Sequence, residues 1–140
     1  MPKRILRVLF RARRAILLTC IGMWVIAAVA THLPAPEVSG IHVSDKLLHF
    51  AGFLVLTSLF WLSLLAYASP GRRRVPTVLI VMILYALVDE TTQSFVRRTP
   101  EVGDWLSDML GTVTAVLLWE SIAGLLRLGP IHHLPGPPTL

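Results

Sequence analysis

Charge is scarce in this sequence. Of its 140 residues, 15% are charged and 54% are hydrophobic, whereas soluble domains carry nearer a quarter charged residues. That deficit excludes an ordinary water-soluble domain. Cysteine occurs once, at Cys20, so the chain can build neither an internal disulfide nor a cysteine zinc cage, and a buried free thiol is expected. Also missing are a phosphate-binding glycine loop, a nucleophile elbow, an HExxH motif and any internal repeat. The common nucleotide, hydrolase and zinc-protease signatures therefore give no lead.

What is present is apolar and long. Mean hydropathy is +0.69, and the few charges cluster, which leaves residues 15–33, 47–68, 75–95 and 105–126 almost free of them. Each stretch approaches the ~20 residues a helix needs to cross the hydrocarbon core. Their edges carry Pro34, Pro36, Pro70, Gly71, Pro76, Pro100, Gly103, Gly129 and Pro130. The expected fold is all-α: a polytopic membrane protein with four transmembrane helices in one bundle. Residues 1–14 form a basic N-terminal segment, 15–128 the membrane domain, and 129–140 a Pro/Gly-rich tail expected to be disordered.

Orientation follows from the basic residues. Lys3, Arg4, Arg7, Arg11, Arg13, Arg14, Arg72, Arg73, Arg74 and Arg127 fall on one side, against Lys46, Arg97 and Arg98 on the other. Basic residues stay cytoplasmic, so both termini are expected inside the plasma (inner) membrane of a bacterium. The sequence pI of about 10.4 then calls for no nucleic-acid partner. Two processing patterns compete with a retained first span: Ala28-Val29-Ala30 resembles a signal-peptidase site, and Leu17-Leu18-Thr19-Cys20 a lipoprotein site. The basic segment and the apolar run are long for a leader, and Cys20 lies within the run, so a retained span is expected.

In this threading the polar residues collect at the outer surface. Span two brings Asp45, Lys46 and His49, span three Asp89, Glu90 and Gln93, and span four Asp104 and Asp108. The pairs Asp45/His49, Asp89/Gln93 and Asp104/Asp108 are each spaced i, i+4, hence each on one helix face. Turning such faces to lipid is costly, so they are expected to converge as an outward-facing polar mouth. Capping accounts equally well for Asp45 and Asp104, which sit where helices begin. It does not account for Asp89 and Glu90 near a helix C-terminus, nor for Asp108, a turn inside span four and four residues from another acid. A shared proton, a basic side chain or a metal ion should offset these acids.

Roles are assigned accordingly. Glu90 or Asp89 is the candidate base, with His49 as partner held by Asp45. Lys46 and Arg97 (or Arg98) are the counter-charges that bind substrate together with Gln93, Asp45, Asp104 and Asp108. If a metal binds, Asp104, Asp108 and Glu90 are its candidates; the sequence does not say which cofactor the site takes. Gly111 and Ala115 form a small-xxx-small pair suited to close helix packing. Glu120, near the inner end of span four, is expected to snorkel or to pair with inner arginines. The tail's His132-His133 is a poor metal signal.

Three blocks carry a resemblance: DKLLHFAGFLVL at 45–56, DETTQSF at 89–95, and RRTPEVGDWLSDMLG at 97–111. Together they resemble the VanZ-like family of small membrane proteins, over about residues 40–115. The family's polar positions fall on Asp45, Lys46, His49, Asp89, Glu90, Gln93, Arg97, Asp104, Asp108 and Gly111. Many relatives have Asn where this chain has Asp108, and the usual Pro-Gly-Arg approach reads Val96-Arg97-Arg98 here. The resemblance implies an integral membrane protein, and the founding member is associated with low-level resistance to the lipoglycopeptide teicoplanin.

Two functional classes stay open at this point. One is a cell-envelope enzyme using carboxylates and an imidazole for acid–base work on a lipid-linked substrate. The other is a non-catalytic membrane protein that binds lipid, drug or precursor, with the polar cluster as a structural network. A transporter is weaker, since four spans are few and none is broken mid-membrane. The partners expected are membrane lipids and a lipid-linked envelope precursor or glycopeptide; the chain can also assemble as an oligomer.

Overall fold

A computed structural model describes residues 2–32, 44–67, 71–96 and 101–126. Four helices account for almost all of them: α1 (Pro2–His32), α2 (Asp45–Ala66), α3 (Gly71–Gln93) and α4 (Val102–Leu126), with a 3-10 turn at Ser94–Val96. No strand occurs among the described residues. Each helix contains a segment long and apolar enough to cross a membrane: Arg7–His32, Asp45–Ala66, Arg73–Gln93 and Val102–Leu126.

All four helices begin ahead of the apolar runs read from the sequence, α2, α3 and α4 by a few residues and α1 by many. α1 starts well ahead of residue 15 and carries the basic segment as helix. No proline or glycine interrupts the sequence between Lys3 and Ile21, and arginine and leucine are good helix formers. Arg13 lies with its guanidinium 4.0 Å from the centre of the Phe10 ring. In this way one of the helix's several basic side chains lays its charge on an apolar ring.

α2 packs most extensively along α4, and next along α1. Gly111 explains the first pairing: a Cβ there would run into the Phe50 carbonyl and lie 3.0 Å from the Leu54 nitrogen. Ala115 and Thr112 continue the small surface, and the Thr57 hydroxyl donates to Thr112 Oγ1 at 3.3 Å. The small-xxx-small pair thus packs helix against helix, as its spacing predicts.

The apolar core comprises Phe53, Leu56, Trp61, Leu65, Val78, Met82, Ala86, Val116 and Ala123. α1 is peripheral: 6% of its membrane-length window is buried, against 33% for α2 and 28% for each of α3 and α4. Its exposed Leu18, Val25, Ile26 and Val29 suit contact with acyl chains rather than water. Cys20 is buried and unpaired, as expected.

Candidate functional site

One end of the molecule gathers the C-termini of α1 and α3 and the N-termini of α2 and α4. The polar residues singled out from the sequence lie at this end. His49, Asp89, Glu90, Gln93, Asp104 and Asp108 are buried there, whereas Asp45 and Lys46 remain exposed. Burial of six polar groups requires partners, and those partners show how the site is built.

The imidazole of His49 sits between two acids of α4. Its Nδ1 is 3.0 Å from Asp108 Oδ1, and its Nε2 is 3.9 Å from Asp104 Oδ2. With an ionised carboxylate as acceptor, Nδ1 carries the proton and donates it to Asp108, which leaves Nε2 available as a base. Asp45 was the expected holder of this ring. The hydrogen bond comes instead from Asp108 on the neighbouring helix, because the close crossing at Gly111 brings α4 onto the face of α2 that carries His49. Asp45, one turn away on α2, is exposed at the rim.

Asp89 and Glu90 are adjacent, so their side chains leave α3 about 100° apart. Asp89 turns toward α1, where it accepts hydrogen bonds from the Thr31 hydroxyl at 2.7 Å and from Gln93 Nε2 at 3.1 Å. His32 Nδ1 lies 3.9 Å from the same carboxylate, and His32 Nε2 is 2.9 Å from Thr92 Oγ1. Glu90 turns toward α4 and accepts the backbone N–H of Glu101 at 3.1 Å through Oε2. Of the two candidate bases, Glu90 faces the imidazole, while Asp89 binds α3 to α1.

Lys46 is held above the site by two acids, Glu101 at 3.0 Å and Asp104 at 3.4 Å. Gly103 makes room for it, since a Cβ there would stand 2.7 Å from Lys46 Cε. Arg97 and Arg98, the other expected counter-charges, lie outside the described residues, as does the tail with His132 and His133.

Two polar atoms at the centre have no hydrogen-bond partner among the described residues: Glu90 Oε1 and Asp108 Oδ2. One ligand atom from each of His49, Glu90 and Asp108 can be chosen so that all three lie within 4.8 Å of one another; the same holds for Asp45, His49 and Asp104. Asp104, Asp108 and Glu90, expected from the sequence as metal candidates, thus divide between two groups that share His49. An apolar cleft of about 300 Å³ opens beside the imidazole. Its walls are Ala27, Ala30 and Thr31 of α1, Asp45, Leu48, His49, Gly52, Phe53 and Leu56 of α2, and Tyr85 of α3.

Sequence reasoning missed Thr31, His32, Glu101 and Tyr85. A signal existed for the first two, since a Thr-His pair at the C-terminal end of span one obeys the same rule that picked out the other polar ends. Glu101 stands ahead of α4 with no helical period to place it, and Tyr85 is a lone aromatic within an apolar run.

A search of curated proteins and a search of solved structures each found no match. A family model described as VanZ/LLP1 matches residues 7–125, a range that takes in all four helices. The DKLLH, DETTQ and DWLSD blocks that suggested this family from the sequence are the segments that carry His49, Glu90 and Asp108 into contact, and with most of the chain matched, the protein belongs to the VanZ-like family.

Proposed function

We propose that this VanZ-like membrane protein binds and acts on a lipid-linked substrate of the cell envelope, at a site opening on the outer side of a bacterial inner membrane. In this reading the four helices form one bundle with both termini cytoplasmic, in accordance with the distribution of basic residues. The observation that carries it is the position of the buried His49–Asp108 pair beside an apolar cleft that has His49 in its wall. A cleft of that kind suits an amphiphile: an acyl or prenyl chain lies along Ala27, Leu48, Phe53 and Leu56, and the polar head group meets the imidazole.

The chain's own groups supply the chemistry. His49 Nε2 takes a proton from a substrate hydroxyl or a water molecule, while Asp108 fixes the ring and stabilises its charge. Glu90 is the second acid–base group, held in place by the Glu101 N–H. Lys46, already between Glu101 and Asp104, attracts an anionic head group such as a phosphate. The link to glycopeptide susceptibility is carried over from the family's founding member.

The test is teicoplanin susceptibility of a sensitive bacterial host expressing wild type or Glu90→Gln, with membrane levels matched by immunoblot and vancomycin as the control drug. The expected result is protection by wild type and none by the variant. Equal protection by both would reduce Glu90 to a structural role and favour a non-catalytic binding protein. That second reading draws on the Gly111 crossing and the Thr57–Thr112 bond, which tie the same residues into the helix packing.

A further inference from the structure

We propose that His49, Glu90 and Asp108 bind one divalent first-row metal ion of the Zn²⁺ or Mn²⁺ kind. The three side chains come from three different helices, α2, α3 and α4, and each is buried: Asp108 is 0%, His49 6% and Glu90 7% exposed. The inference concerns the same site as the proposed function, needs no substrate, and is an alternative to its free-imidazole base, since a ring that binds an ion through Nδ1 keeps its proton on Nε2.

Two observations carry it independently. The first is geometric. A ligand atom from each residue can be chosen with all three inside 4.8 Å, and the 3.0 Å between His49 Nδ1 and Asp108 Oδ1 is also a spacing that suits metal binding. Two adjacent ligands at about 2.1 Å from one ion stand roughly 3.0–3.4 Å apart, so a cation can take the place of the proton between them. The second is the pair of buried oxygens without a partner, Glu90 Oε1 and Asp108 Oδ2. A buried carboxylate oxygen left unpaired is costly, and here both belong to the group that already has ligand spacing.

Charge points the same way. Glu90 and Asp108 are buried around a single imidazole. Among the described residues, the other ion pairs at this end use Lys46 and His32, which engage Glu101, Asp104 and Asp89. A divalent ion neutralises two carboxylates at once, and an imidazole nitrogen among the ligands favours Zn²⁺ or Mn²⁺ over Mg²⁺ or Ca²⁺. The surroundings resemble a supporting shell, because the second oxygen of Glu90 is held by a backbone N–H and such contacts orient ligands.

The upper group, Asp45, His49 and Asp104, is the weaker assignment. Asp45 is exposed and Asp104 already engages Lys46. The experiment separates the two. Full-length protein carrying His132→Ala and His133→Ala, with any affinity tag removed, is purified in detergent, stripped with a chelator, and titrated with Zn²⁺, Mn²⁺ or Ca²⁺. Bound metal per chain is then counted by elemental mass spectrometry after gel filtration.

The expected result is about one Zn²⁺ or Mn²⁺ per chain, with little Ca²⁺ retained. Glu90→Gln and Asp108→Asn should each weaken binding by more than about tenfold, while Asp45→Asn leaves it unchanged. Circular dichroism and gel filtration check that the variants stay folded. The Mn²⁺-loaded protein with native Glu90 and Asp108 should also show the nitrogen coupling of one imidazole by pulsed electron paramagnetic resonance, a readout that needs no ligand variant. Absence of stoichiometric metal overturns the proposal, as does a missing imidazole coupling. Full binding by Glu90→Gln with loss in Asp45→Asn overturns the assignment in favour of the upper group.

Discussion

At the end of the helices where α2 and α4 begin, His49, Glu90, Asp104 and Asp108 are buried together, and two of their oxygens lack partners. At the opposite end a single cation, Arg74, is 3% exposed, with its guanidinium 4.6 Å from the centre of the Trp61 ring. Trp61 in turn stacks on Trp119 at 5.5 Å and donates its indole N–H to Glu120 at 2.8 Å. Glu120, expected to snorkel or to meet inner arginines, interacts electrostatically with Arg74 and also takes a hydrogen bond from a core tryptophan. Both ends bury charge, but with different neighbours. The Arg74 end sets its cation on the face of Trp61, whose ring quadrupole stabilises it, while its Nε and Nη1 have no hydrogen-bond partner among the described residues. The His49 end concentrates acids around one imidazole, the arrangement on which the proposed function and the proposed metal site both rest.

The comparison can be broken most forcefully at the imidazole. Replacing His49 by Leu leaves Asp108 buried without its partner, which should lower stability by about 3–5 kcal/mol. The measure is thermal unfolding of the detergent-purified protein; an unchanged midpoint would show that the pair is not a structural element. Next in size is Gly111→Ala, where the added Cβ meets the Phe50 carbonyl. Overpacking at such a crossing should cost about 1–3 kcal/mol and loosen α2 from α4. A double-cysteine cross-link across that crossing, made in a Cys20→Ala background, should form less completely in the variant.

At the Arg74 end, Trp61→Phe keeps an aromatic ring, removes the donor to Glu120 and leaves a smaller side chain in a fully buried position. The loss should be about 1–3 kcal/mol, typical of a hydrogen bond to a charged group. Its effect on teicoplanin susceptibility should be nil at matched expression. An effect there as large as that of Glu90→Gln would erase the functional distinction between the two ends. The smallest effect is expected for Lys46→Ala: its pair with Glu101 is exposed and screened, and only the longer contact with buried Asp104 at 3.4 Å touches the interior, so the unfolding midpoint should fall less than in the other variants. Any change should appear in drug susceptibility, since an exposed lysine above the site acts on an incoming anion rather than on the fold.

Much of this was legible in the chain. The four spans were set by the length of the apolar runs, because a membrane-crossing helix needs a fixed number of residues. The site's end of the molecule followed from the i, i+4 pairs, because charge in a span must turn inward. The pairings within it were not legible. Asp89 and Glu90 differ by one residue, and only the packing of α1 on one side and α4 on the other decided that the first meets Thr31 and the second faces His49.

Sequence alone determined class, span number and which residues are polar where a helix ends, since those follow from composition and from a periodicity local to each helix. Tertiary structure alone decided that His49 is held by Asp108 rather than by Asp45, and that α1 contributes Thr31 and His32. The physical reason is the crossing at Gly111: with no side chain there, α4 comes close enough to α2 for a contact between residues 59 positions apart. Spacing along a single helix does not encode that contact.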